Sequence, residues 1–293
     1  MPDTFHNSLY TLGCPVWNSN DWRGTVYPQR GAKDQWLNHY SQVFNTVEGN
    51  STFYGLPSLE TIEKWGQRSA DGFEFCLKFP SVITHEQQLL ETRDLLPPFL
   101  ACLEVLQRHQ KLGPSLLQLP PYFSPNQSQT LVDFLKQLPA DFPYAVEVRH
   151  LDWFQPPHAE ALDELLEEHQ VDRVIFDSRP LYALPASDES ERASQSRKPK
   201  LPVAFTAPGS RPMLRLIGRN SVPRVADWLD PWTDQVAEWV SQGKRPIIFT
   251  HTPDDAHAPE FAQLFHNHLA SKVPGLKPLS QWPHQQPVQR ELF

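Results

Sequence analysis

The stretch FNTVEGNSTFYGLP, Phe44 to Pro57, decides how the chain is read. Thr46–Asn50 has the length and the β-branched content of a buried strand, yet it carries Glu48 and Asn50. Side chains alternate along a strand, so Val47 and Gly49 face one way while Thr46, Glu48 and Asn50 face the other. A charge on the inner side of a core strand is either a packing device or chemistry. If it is chemistry, the pattern recurs on other strands.

It does recur. Strand-like runs stand at Tyr10–Gly13, Thr46–Asn50, Phe73–Phe79, Ser115–Leu119, Ala145–Arg149, Arg173–Asp177, Met213–Ile217 and Pro246–His251. On the third run, Phe75, Leu77 and Phe79 oppose Glu74, Cys76 and Lys78. On the fifth, Val146 and Val148 oppose Ala145, Glu147 and Arg149; on the seventh, Leu214 and Leu216 oppose Met213, Arg215 and Ile217. Gln118, Asp177 and His251 hold comparable late positions on the fourth, sixth and eighth runs.

Between the runs, apolar residues fall at helical spacing, as in Phe99, Leu103 and Leu106, or Leu229, Trp232, Val236 and Trp239. Ser124-Pro125 reads as a helix start, and Gly113 and Gly243 read as helix ends. Eight strand–helix alternations in 293 residues predict an α/β fold, a single (β/α)8 TIM barrel spanning 1–279. A doubly wound sheet is the alternative, but GCPVW after the first run is no glycine-rich fingerprint. Residues 180–212, with ASDESERASQSRKPKLP, read as a long polar loop, a lid or an insertion. Residues 280–293 read as a flexible tail.

Composition narrows the function classes. The formal charge of −8 gives no global attraction to phosphate backbones, so nucleic-acid contact would need a local basic patch. Cys14, Cys76 and Cys102 show no CxxC spacing, which argues for a reducing, cytoplasmic compartment and against a cysteine zinc site. No export signal is evident in MPDTFHNSLYTLG, and no apolar run is long enough for a membrane span.

Barrel active sites lie at the carboxyl ends of the strands, where these polar residues converge. Glu48 and Glu147 suit a general acid/base pair, with Asp177 assisting. Lys78, between Leu77 and Phe79, would stabilise developing negative charge; desolvation would suit it to a Schiff base, a neighbouring carboxylate to a counter-ion role. Asn50, Tyr54, His85, Gln118, Arg149, Arg215, Arg219 and His251 are the candidate substrate-binding residues. Gly218–Ser221 before Pro223 could hold phosphate, with Arg215 and Arg219 adding charge-assisted bonds. A plain serine cap explains that segment equally well. A charged plug that fixes the strand register is the structural alternative to an active site. No HxH or HExxH spacing assigns a metal, although a divalent ion on His85, His251, Glu48, Glu147 and Asp177 stays open.

The chain ends QRELF. Gln289 followed by Leu292 and Phe293 resembles the bacterial sliding-clamp-binding pentapeptide, which would imply a clamp partner; the protein's own surface is the other place for these apolar ends.

The runs YPQRG, VEGNSTFYGLP, FEFCLKFPSVITH, LLQLPPYF and VEVRHLDWF resemble the domain-of-unknown-function 72 (YecE-like) family, from Tyr10 to Leu269. The resemblance implies a TIM barrel of unassigned activity. Glu48, Asn50, Thr52, Tyr54, Lys78, Thr84, His85, Glu147, Arg149 and Asp177 match its motifs. The chain departs from them at Leu216, Ile217 and Gly218 after Arg215, and at Thr250, His251 and Thr252. The expected function is acid–base or hydrolytic chemistry on a small phosphorylated, nucleotide-like or sugar substrate. The alternative is a binding module recruited to the clamp, with a metal-assisted phosphodiesterase combining the two.

Overall fold

Thr46–Gly49 forms a strand buried along its whole length, as its alternation predicts. It ends where Asn50 leads into a single helical turn, and the Thr52 hydroxyl donates to the carbonyls of Gly49 (3.0 Å) and Lys78 (2.6 Å). The computed structural model describes residues 4–285. Its strands are β1 Thr11–Gly13, β2 Thr46–Gly49, β3 Glu74–Leu77, β4 Ser115–Gln118, β5 Tyr144–Glu147, β6 Asp172–Asp177, β7 Met213–Ile217 and β8 Ile247–His251. The helices are α1 Trp36–Val43, α2 Ser51–Tyr54, α3 Leu59–Arg68, α4 Leu96–Arg108, α5 Ser128–Leu135, α6 His158–Glu168, α7 Arg179–Tyr182, α8 Glu189–Arg197, α9 Leu229–Ser241 and α10 Ala258–Ala270.

The closed eight-stranded TIM barrel expected from the alternation does not form. The strands pair in parallel as a six-stranded sheet, β1-β8-β7-β6-β5-β4, and a separate two-stranded sheet, β2-β3. The result is an open, curled α/β fold. Isolated backbone bonds cross the two gaps: Glu48 N–H to the Cys14 carbonyl (3.1 Å) on one side, and on the other Phe75 N–H to the Lys111 carbonyl (2.8 Å), Gly113 N–H to the Phe75 carbonyl (3.0 Å) and Phe79 N–H to the Leu116 carbonyl (3.0 Å). Side chains intercept the first ladder: the N–H groups of Leu12 and Cys14 donate to Asn45 Oδ1 and Tyr40 Oη, each at 2.7 Å. At the second gap Pro114, which has no N–H, precedes β4.

Two apolar layers surround the strands. The larger lies between their outward side chains and the helices, with Val47, Phe75, Leu77, Val146, Leu214 and Ile248 meeting residues such as Phe99, Trp232 and Phe265. The smaller fills the inner side with Cys76, Leu116, Ala145, Val174, Met213, Ile247 and Phe249. The polar residues of the carboxyl ends stand above this inner layer.

Local signals act as elementary chemistry requires. Ser124 and Gln127 make a reciprocal capping box around Pro125, and Gly243 takes the left-handed backbone (φ +79°) that ends α9. Gly113 is not a helix cap. A Cβ there would lie 2.8 Å from the Cys76 sulfur, so the residue serves the close approach of β3.

Residues 180–212 carry α7 and α8. Asp188 caps α8 by accepting from the Glu191 N–H (2.7 Å). In the segment 280–293, Trp282 is buried and meets Phe5 edge-on at 6.0 Å. Gln289, Leu292 and Phe293 lie outside the described residues.

Candidate active site at the carboxyl ends of the strands

Strand parity brings Glu48, Glu147 and Arg215 together from β2, β5 and β7. Arg215 donates through Nε and Nη2 to the two oxygens of Glu48, each at 2.8 Å. Its Nη1 donates to Glu147 Oε2 at 2.5 Å. The planar guanidinium therefore serves two carboxylates on separate sheets, closing by side chains what the backbone ladder leaves open. His251 from β8 lies 3.0 Å from Glu48 Oε2, so its Nε2 carries the proton. Arg149 Nε donates to Glu147 Oε1 at 2.7 Å. All four carboxylate oxygens thus have partners.

That arrangement sets the protonation states. Burial pushes the Glu48 carboxyl up, but Arg215 and His251 outweigh it and hold the group well below the carboxylate range. Burial likewise opposes ionisation of Glu147, and Arg215, Arg149 and Lys78 overcome it, bringing it to about 2. Burial lowers His251 to about 4 against the pull of Glu48, so the ring is neutral at pH 7.

Lys78 is in a different position. Its Nζ donates to Gln118 Oε1 at 2.9 Å and lies 4.0 Å above the Phe53 ring. Arg149 Nη2 donates to the same Gln118 oxygen at 2.7 Å. Two cations converge on one neutral amide, because the carboxylates are already engaged. Burial, and then the Arg215 charge, lower Lys78 to about 7. His85, next to the Thr84 hydroxyl (2.8 Å), is lowered to about 4 by burial and by Lys78 and Arg149.

Above these groups opens a cavity of about 600 Å³. Asn50, Tyr54, Lys78, His85, Gln118, Arg149, Arg215 and His251 all line it. Glu48 and Glu147 do not; both are sealed beneath the wall. Tyr54 forms an exposed rim, edge-on to Phe53 at 5.1 Å. The Asn50 amide donates to the Pro15 carbonyl (3.3 Å).

Two expected members stand elsewhere. Asp177 points outward, where it accepts from Trp232 Nε1 of α9 (2.7 Å) and from Arg179. The inward place near the end of β6 belongs to Phe176, whose ring lies under Arg149 and Arg215 at 5.5 and 5.4 Å. Arg219 is buried away from the cavity, donating to the carbonyls of Leu184 and Pro185 (both 2.8 Å) and to Glu191 (2.5 Å). It fastens the segment before α8 rather than presenting a charge to ligand. Among the described residues, no three of His, Cys, Asp and Glu come together as a metal site.

Sequence reasoning missed three charged wall residues, Arg197, Lys198 and Asp255. Lys198 comes from the end of α8, held there because Tyr182 Oη donates to its carbonyl (2.5 Å) and Ser178 Oγ to that of Pro199 (2.7 Å). Burial and Arg215 lower its pKa. The basic run RKPK, set in a polar segment, was its only signal. Asp255, after β8, has left-handed backbone (φ 62°) and a carboxyl raised to about 7 by burial.

The fold is a parallel α/β fold with a cavity lined by cationic side chains at the carboxyl ends of its strands. The chain belongs to the family described as "Protein of unknown function DUF72", whose model matches residues 11–287. It is 35% identical to UPF0759 protein YecE of Escherichia coli (strain K12), covering 94% of this chain and 97% of that one. It is 27% identical to UPF0759 protein YunF of Bacillus subtilis (strain 168) over 51% of this chain and 54% of that one. Its fold is similar to those of two crystal structures of DUF72 family proteins. One, from Enterococcus faecalis V583, has a TM-score of 0.67 and 18% identity, covering 92% of this chain and 98% of that one. The other, from Thermotoga maritima MSB8, has a TM-score of 0.66 and 24% identity, covering 88% and 98%. No helix among the described residues is long and apolar enough to cross a membrane.

Proposed function

We propose that the chain is an enzyme that performs acid–base chemistry on a small anionic substrate, phosphorylated or carboxylated, held in this cavity. The observation that carries the reading is the sign of the wall. Lys78, Arg149, Arg197, Lys198 and Arg215 line it, Asp255 is the acidic residue among the lining side chains, and Glu48 and Glu147 are sealed below. In a chain of net charge −8, this local excess of cations suits an anion.

Glu48 and Glu147 orient Arg215 and His251 instead of exchanging protons. Proton transfer falls to Lys78 and Asp255, both brought to about 7 and both on the wall. Groups poised near neutrality are the effective acids and bases at pH 7. The exposed Tyr54 ring and the Phe53 face supply a stacking surface for a sugar or a base.

Thermal unfolding in increasing inorganic phosphate tests the reading. The wild type gains stability in a saturable manner, and Arg149→Gln loses most of that gain. Equal gains in both proteins would remove the cavity from consideration. A sliding-clamp partner for Gln289, Leu292 and Phe293 rests on the sequence pattern and is tested by pull-down with and without Gln289–Phe293.

A further inference from the structure

Lys78 carries chemistry that anion binding does not require. An arginine or an exposed lysine binds phosphate equally well; a buried amine without a carboxylate partner is suited to a different task. The oxygens of Glu48 are taken by Arg215 and His251, and those of Glu147 by Arg149 and Arg215. Lys78 is left with one neutral acceptor, the Gln118 amide oxygen, and an aromatic face. Arg149 shares that oxygen, and the charges of Arg215 and Arg149 on the cavity wall both repel an ammonium. This is the environment of a nucleophilic amine.

We propose that Lys78 forms a covalent imine with the carbonyl carbon of an anionic aldehyde or ketone bound in the cavity. The proposal rests on the anion-binding reading above and names the substrate class. Neutral Nζ attacks the carbonyl carbon and forms an N–C bond. One amine proton and one proton from the site convert the oxygen to a leaving water. Loss of that water forms a protonated C=N bond, whose remaining N–H proton returns to the site to leave the imine, and hydrolysis reverses the sequence. Primary amine and carbonyl therefore give imine and water, with no change of oxidation state. Asp255 lines the same cavity and is the group that supplies and recovers the proton. Arg149, Arg215 and Lys198 hold the anionic end, and the nearby Phe53 ring limits water at the imine.

The groups facing Lys78 set its pH response: Glu48 from β2, His85 from the helical turn after β3, Gln118 from β4, Glu147 and Arg149 at the end of β5, and Arg215 from β7. Glu48 and Glu147 favour the ammonium, while burial and the arginines favour the amine, leaving a value of about 7.

The test uses the full chain with glyceraldehyde phosphate as probe, sodium cyanoborohydride as the trap, and peptide mapping by mass spectrometry. The expected result is one adduct per chain, at Lys78, suppressed by inorganic phosphate. Trapping rises about tenfold per pH unit well below 7 and levels off above it. Lys78→Arg and Lys78→Met, each checked for a cooperative unfolding transition, reduce trapping to the level of surface lysines. Adducts scattered over surface lysines, with phosphate still stabilising the wild type, would overturn the imine and leave the anion site standing. Absence of both trapping and phosphate stabilisation would overturn the two together.

Discussion

Arg215 grips Glu48 through two parallel hydrogen bonds of 2.8 Å, joining strands that share no backbone ladder. Both side chains are fully or almost fully buried. Removing one partner strands the other charge in a dry site. We expect Arg215→Met to lose about 3–5 kcal/mol of stability. Urea unfolding measures this. The exposed pair Lys64–Glu60 is the control, and its Glu60→Gln variant should be indistinguishable from wild type.

Acid weakens the same cluster. The folded Glu147 value of about 2 lies below the ordinary 4.5. A depressed carboxylate contributes stability that is complete above the unfolded value and is lost as pH falls through the folded one. The loss therefore spans pH 4.5 down to about 2, and amounts to about 3 kcal/mol. Unfolding free energies measured across that interval check it, and a flat profile would contradict it.

Lys78 gives a slope of the same sign at higher pH. Its folded value of about 7 lies below the ordinary 10.5, so between these the unfolded chain binds the extra proton. Stability from this group rises with pH across that window. Sulfate binding moves the other way, because the ammonium is lost above about 7 and sulfate keeps a constant charge. Calorimetric sulfate affinity should fall as pH rises through neutrality, and the fall should shrink in Lys78→Met.

Arg219 and Glu191 act at a distance. Their buried bond fixes the segment that delivers Arg197 and Lys198 to the cavity wall, although neither residue lines it. Glu191→Ala should speed protease cleavage within 183–202 and weaken anion affinity together. Cleavage without a change in affinity would show that the segment contributes no binding charge.

Asp177 is predicted to be structural. Its carboxylate serves Trp232 and Arg179 on the outer side of β6. Asp177→Asn should lower the unfolding temperature and leave sulfate affinity at the wild-type value.

How far the sequence could be read follows from these residues. Alternation placed Glu48, Lys78, Glu147 and Arg215 on the inner side because Val47, Leu77, Val146 and Leu214 marked the outer one. It misplaced Asp177, because on β6 the polar pair Arg173 and Asp177 faces outward to α6 and α9 while the apolar Val174 and Phe176 face inward, the reverse of the other strands. Closure into a barrel was expected from the count of alternations, whereas ladder continuity depends on single N–H groups: those of Leu12 and Cys14 go to the Asn45 and Tyr40 side chains, and Pro114 has none. Arg219 was unreadable as a clamp, since its partner Glu191 lies in a segment with no apolar periodicity. Lys198 and Asp255 reach the cavity from connections whose course no strand or helix pattern encodes.

The central claim is that the cavity over Lys78 and Arg149 binds an anion. Isothermal calorimetry of sulfate with the wild type and with Arg149→Gln tests it most directly. One saturable site, weakened about tenfold or more in the variant and by added salt, is the predicted result. No saturable heat in the wild type, or equal affinity in both proteins, would contradict it.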